Sequence, residues 1–195
     1  EAETGGAIYT SSVFGVSVAS SIFQNNYARS HGGAITYAGK SVGVVEDSLI
    51  CNNTANESGG GIHFEDDSAP YIRNVTFNHN KVIVGAEGLG QGGGFSIWDS
   101  STASLTNCSF SNNYGILGGG AFIHFLAKGI LTNLLFANNV GQDGGALHFQ
   151  GFSTSMSHII LSNNTANEYG GGLYVDTTLS YSNKTICNNC TITGN

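Results

Sequence analysis

The chain has 195 residues, 40% hydrophobic and 10% charged, and six Lys and Arg against 13 Asp and Glu give a formal net charge of −7. That hydrophobic share excludes a disordered chain, and so few basic residues exclude the cationic stripe that nucleic acid requires. No apolar run reaches the roughly 20 residues of a membrane-spanning helix, so no transmembrane segment is expected.

In chain order, the first recognisable element is Gly5-Gly6-Ala7-Ile8, a glycine pair followed by a small and then an apolar residue. It returns at Gly32, Gly59, Gly92, Gly118, Gly144 and Gly170, with spacings of 27, 27, 33, 26, 26 and 26. A second anchor, an apolar residue followed three positions later by asparagine, keeps the same register. Its members are Phe23/Asn26, Ile50/Asn53, Phe77/Asn80, Phe110/Asn113, Phe136/Asn139, Leu161/Asn164 and Ile192/Asn195. Around both anchors the side chains alternate with period two. Val75, Phe77, Ile62 and Phe64 are expected inside, with Thr76 and His63 outside; Leu147 and Phe149 are expected inside, with His148 outside.

Short alternating strands recurring at a fixed long period must pair in parallel, one coil to the next, with the rest of each coil as the crossover. The expected fold is all-β: a right-handed parallel β-helix of about seven coils of about 27 residues, forming one domain over residues 1–195. The paired glycines are expected at a corner where a Cβ would meet the next coil. The anchor asparagine is expected to adopt the left-handed conformation and to hydrogen-bond its equivalents in neighbouring coils. A helical repeat would need a period of 3.6, and a propeller a repeat of roughly 40 residues or more.

The run from Phe23 to Ile35, FQNNYARSHGGAI, carries the pattern Phe-x-x-Asn-x-Ala-x-x-x-Gly-Gly-Ala-Ile, and Ile50–Ile62 and Leu161–Leu173 follow it with conservative changes. This pattern resembles the repeat of the chlamydial polymorphic membrane proteins, and the likeness covers the whole chain. It implies a surface-displayed β-helical passenger acting as an adhesin, with no catalytic residues to carry over.

Seven asparagines stand in glycosylation sequons: Asn52, Asn56, Asn74, Asn107, Asn163, Asn183 and Asn189. Asn74, Asn107 and Asn189 each precede an inward anchor by three residues, which aims them outward on one face. Of the four cysteines, Cys108 and Cys190 share an inward position but lie three coils apart, too far to bridge. Cys51 follows an anchor and is expected to point away from the core. Cys187 and Cys190 alone are near enough for a local disulfide. A Cys-x-x-Cys can also bind zinc or act in redox chemistry, but no second ligand pair accompanies this one.

An enzymatic role would rest on the carboxylates. Glu65-Asp66-Asp67 and Asp99, at the position matching Asp66 one coil on, could stack about 5 Å apart. A solvated acidic turn accounts for them better, since no Lys or Arg is read at a matching position in the neighbouring coils. His63 and His148 match in position but are three coils apart, so no metal pair, and no cofactor, is expected. Gly85–Gly94, GAEGLGQGGG, lacks the Lys-Ser/Thr ending of a phosphate loop and reads as a surface loop in the stretched coil. Trp98 and Tyr174 are expected to face outward.

The functional expectation is a non-catalytic extracellular or cell-surface structural rod that builds or decorates a fibre. Its partners would be further copies stacked head to tail, or other surface proteins and glycans. The alternatives are an adhesin and, less favoured, a polysaccharide-active β-helix. Joining Asn195 to Glu1 gives ITGN–EAETGGAI, which reproduces the repeat, so the coils read as one length of a continuing stack.

Overall fold

Every strand pair in the computed structural model, which describes residues 2–83, 90–124, 126–150, 154–176 and 186–195, is parallel and joins one coil to the next. The first sheet stacks Ile8–Ser11, Ile35–Ala38, Ile62–Phe64, Phe95–Ile97, Ala121–Ile123, Leu147–Gln150 and Leu173–Asp176. The second begins with Phe14–Ala19, Val42–Glu46, Tyr71–Arg73 and Thr102–Thr106; the third begins with Ile22–Gln24, Leu49–Cys51, Thr76–Asn78 and Ser109–Ser111. These two fuse where Lys128–Ala137 and Ser155–Ser162 run through the corner as single long strands, each pairing with both halves. Shorter pairings, among them Tyr27–Ala28 with Thr54–Ala55 and Lys81–Val82, complete each coil. The result is a parallel β-helix of about six turns, close to the seven coils expected from seven glycine anchors.

The register follows the anchors. Ile8 pairs with Ile35, Ile35 with Ile62, Ile62 with Phe95, Phe95 with Ala121, Ala121 with Leu147 and Leu147 with Leu173. Inward residues of successive coils therefore stack into columns, and a single core cluster runs from Val18 to Leu161. Phe77, Phe110 and Phe136 lie face to face at 4.4 and 4.5 Å. On the first sheet Tyr37 meets Phe64, and Phe64 meets Phe95 of the neighbouring column, edge to face at 5.5 and 5.0 Å, an arrangement that aromatic quadrupoles favour.

The two glycines of each pair have different tasks. The first takes a positive φ, for example +66° at Gly92, as the chain turns into the first sheet. The second sits against the next coil: at Gly93 an added Cβ would come closer than 3.0 Å to the Gly119 and Tyr114 carbonyl oxygens. The anchor asparagines form the expected ladder. Asn26, Asn53, Asn80, Asn113, Asn139 and Asn164 each donate both the backbone N–H and Nδ2 to Oδ1 of the next asparagine, ending on Asn195, at 2.8–3.1 Å. Their conformation corrects the expectation. The left-handed residue is the one before each anchor (Asn25, Asn52, His79, Asn112, Asn138 and Asn163), and the anchor itself keeps a negative φ. The preceding residue makes the corner, which swings the anchor's amide into the coil interior, where it also donates to a backbone carbonyl such as Phe77 O.

Candidate functional site

Among the described residues, the outer face of the first sheet brings histidines and a carboxylate together. Three columns converge there. The residue before each glycine pair folds back over the sheet: His31 bridges to Ser58, Ser58 to Gln91, Gln91 to Leu117 and Leu117 to Asp143. The middle residue of each strand points outward, giving Thr36, His63, Ser96, Phe122, His148 and Tyr174 in register. In three successive coils the residue just after the strand adds Glu65, Trp98 and His124, with Trp98 N–H donating to Phe64 O at 2.8 Å and His124 N–H to Ile97 O at 2.9 Å.

Because the first column lies across the second, outward does not mean exposed. His63 and His148 leave the lumen as expected, but both are buried, at 0% and 3% exposure. Phe122, on the same outer column, is also fully buried. His31 stacks on His63 with ring centroids 4.6 Å apart, and Trp98 packs against both at 5.5 and 5.7 Å. Trp98 stacks on His124 at 5.6 Å, and Tyr174 meets His148 edge-on at 4.9 Å. Trp98 and Tyr174 thus do face outward, half-buried within this stripe. Four of the six histidines stand on it.

At one end of the stripe His31, His63 and Glu65 come together. Ser58 Oγ lies 2.9 Å from His31 Nδ1, and Ser96 Oγ lies 2.7 Å from His63 Nδ1. The Nε2 atoms face carboxylates, His63 at 3.3 Å from Glu65 Oε2 and His31 at 3.5 Å from Glu57 Oε2. Burial, helped by the neighbouring His63, pulls His31 down to about 4, against the pull of Glu65 and Glu57. The His63 hydrogen bond holds the Glu65 carboxyl below its ordinary range, against the effect of burial. A hollow of about 310 Å³, lined by Glu3, Thr4, Tyr9 and Glu65, opens beside the cluster.

The histidine pairing foreseen as absent, His63 with His148, does not form; the pair that does form joins His31 to His63. His31 escaped notice because it precedes its glycine anchor whereas His63 follows one. Only the left-handed turn at Gly32, with φ of +60°, brings the two columns side by side. Thr36 Oγ1 donates to the His31 carbonyl at 3.2 Å across that turn.

His148 offers a pH test. Neither ring nitrogen has a hydrogen-bond partner in good geometry, and burial lowers its pKa to about 4, only partly opposed by the Asp176 carboxylate and the nearby Asp143 backbone. The unfolded chain, with an ordinary histidine, takes up this proton first on acidification. Stability is therefore lost as pH falls from about 6.5 toward 4, by on the order of 3 kcal/mol. His148→Phe is expected to flatten that fall and to raise the melting temperature most near pH 4.5. Thermal melts from pH 7.5 to 4.5 check this; parallel pH profiles for the two proteins would remove His148 from the account.

The remaining candidates fall elsewhere. Asp66 and Asp67 are exposed turn residues with φ of 56° and 60°, and Asp99 Oδ2 accepts the Asp66 N–H at 3.4 Å. The reading that no basic residue flanks them is corrected: Lys40 lies on the same turn one coil earlier and donates its N–H to Asp66 O at 2.7 Å. It escaped notice because the glycine before it, not the lysine, aligns with Asp66. Asn52 and Asn163 are exposed at one corner and Asn74, Asn107 and Asn189 at another, all with positive φ. Asn56 is half-buried, with Nδ2 donating to Tyr27 Oη at 2.9 Å. Asn183 lies outside the described residues, as does the first half of the Gly85–Gly94 run. A disulfide joins Cys187 and Cys190, with Cα atoms 6.0 Å apart. Cys108 is a buried free thiol whose pKa burial raises to about 11. Cys51 points off the core column as expected, yet neighbouring coils cover it to 7% exposure.

A family profile described as the right-handed beta helix region matches residues 6–195. The chain belongs to the right-handed β-helix family. No curated protein and no solved structure matches it.

Proposed function

We propose that this β-helix is a non-catalytic structural rod of the cell exterior that builds or decorates a surface fibre. The observation that carries the reading is the asparagine ladder, which runs from Asn26 to Asn195 and ties each member to the next by two hydrogen bonds, buried along the middle of the stack. Such a column stiffens the molecule along its axis, as amide ladders do in stacked parallel sheets. The Cys187–Cys190 disulfide and the exposed sequon asparagines fit an oxidising, secreted setting. Asp66 and Asp99 shape a turn, which supports a structural rather than a catalytic use of the best-placed carboxylates. The first sheet has edges at Ile8–Ser11 and Leu173–Asp176, and Ile22 and Ile192 are 68% and 56% exposed. Edges of this kind accept a further parallel coil, from the same chain or from another copy.

Electron microscopy of the purified chain, with sedimentation as a function of concentration, tests the reading. Head-to-tail filaments lengthening with concentration are the expected result; monomers at every concentration would remove the stacking mechanism. A second reading, an adhesin of the kind that the chlamydial polymorphic membrane repeat implies, draws on the aromatic and histidine stripe, where Tyr9 and Tyr169 are 54% and 57% exposed. Glycan-array binding that disappears in Tyr9→Ala would favour that reading.

A further inference from the structure

We propose that His31, His63 and Glu65 form a binding site for a divalent transition cation of the zinc class, set between two neighbouring coils on the outer face of the first sheet. One ligand atom from each residue lies within 4.8 Å of the other two. In both rings a serine one coil further on holds Nδ1, Ser58 at 2.9 Å and Ser96 at 2.7 Å, which leaves Nε2 as the ligand atom. Partners of this kind fix ring orientation and tautomer around metal ions. Nε2 of His63 makes a long hydrogen bond of 3.3 Å to Glu65, and Nε2 of His31 lies 3.5 Å from Glu57, both past the usual range of roughly 2.7–3.2 Å for an N–H···O bond. Two imidazoles and two nearby carboxylates are thus gathered around the fully buried His63 with only long contacts between them.

A zinc-class ion binds nitrogen at roughly 2.0–2.1 Å and holds tetrahedral ligands about 3.4 Å apart, so closure requires movements on the order of an ångström. The side chains that can supply it are Glu65, 22% exposed, and His31, 17% exposed, while the fully buried His63 stays as the fixed point. Mixed nitrogen and oxygen donors select a borderline cation over calcium or magnesium, which take oxygen alone. Glu65 also lines the hollow with Glu3, Thr4 and Tyr9, so a fourth position can be reached from solvent and filled by water. Glu57, receiving the Ser30 hydroxyl at 2.7 Å, adds negative charge at the rim.

The test is calorimetric titration of zinc chloride into the untagged, chelator-stripped full chain at pH 7.5. One equivalent is expected to bind, about tenfold or more weaker in Glu65→Gln and in His31→Gln, and unchanged when the exposed His79 and His158 are both replaced by Gln. His31 is only partly buried, so His31→Gln serves even if variants of His63 fail to fold. Cobalt(II) in place of zinc should give visible absorption bands that His31→Gln removes. Absence of zinc binding, affinity unchanged in both site variants, or loss confined to the His79/His158 variant would each overturn the proposal.

Discussion

Gly93→Ala is expected to destabilise the chain by more than about 4 kcal/mol, enough to prevent the native stack from forming at 37 °C. Gly93 has no positive φ, so the loss owes nothing to backbone preference. Its hydrogen occupies the place where the coil touches the next one. A methyl group there would press on the Gly119 and Tyr114 carbonyl oxygens, both closer than 3.0 Å. Both are main-chain atoms, and Tyr114 O already accepts the Val82 N–H, so neither can rotate away as a side chain would. Relief would require parting two coils along the first sheet, together with the ladder that crosses it. Gly129→Ala makes the control: it lies in a strand and would meet only the side chains of Ile123 and Thr154 at 3.2 Å. Its expected cost is about 1 kcal/mol. Urea denaturation of the two variants checks the contrast, and equal midpoints would show that close coil contact is not what the second glycine serves.

Asn113→Leu is expected to cost about 3–5 kcal/mol, because it strands buried polar groups instead of merely deleting a bond. Asn113 Oδ1 is the acceptor for the Asn80 backbone N–H at 2.9 Å and for Asn80 Nδ2 at 3.1 Å. Asn113 Nδ2 serves Asn139 Oδ1 at 2.9 Å and Phe77 O at 3.1 Å. With 1% of the residue exposed, water cannot replace these partners. Asn113→Asp separates donor from acceptor. It keeps the oxygen that Asn80 needs but turns a carboxylate oxygen toward Phe77 O and Asn139 Oδ1. Its folded-state pKa is thereby raised, so stability is present below the unfolded value of about 3.9 and is lost as pH rises. Denaturant midpoints at pH 4 and pH 7 should thus differ more for Asn113→Asp than for the parent; identical differences would mean that the ladder amides are not satisfied as described.

The contrast between these two positions and the His31 cluster explains what could be read in advance. Glycine and asparagine columns are properties of one position repeated in every coil, so the period alone aligns them. The histidine cluster joins two different positions of the repeat, one before the glycine turn and one after it. Its members are 32 residues apart in a chain whose coils are mostly 26 or 27 long, and no periodicity links them. The left-handed conformation was placed one residue late for a related reason: sequence marks the asparagine that is conspicuous, whereas geometry bends the residue that makes the corner.

The parallel β-helix, the inward columns of Phe, Ile and Leu, and the asparagine ladder are legible in the repeat, because each follows from a period and an alternation that any stacking must respect. Three facts come from the packing of the coils: the outer face of the first sheet is covered, His63 and His148 are buried there, and His31 reaches His63. Those facts depend on how sharply the chain folds back at the glycine turn. That angle is set by contacts between coils, and no single repeat carries it.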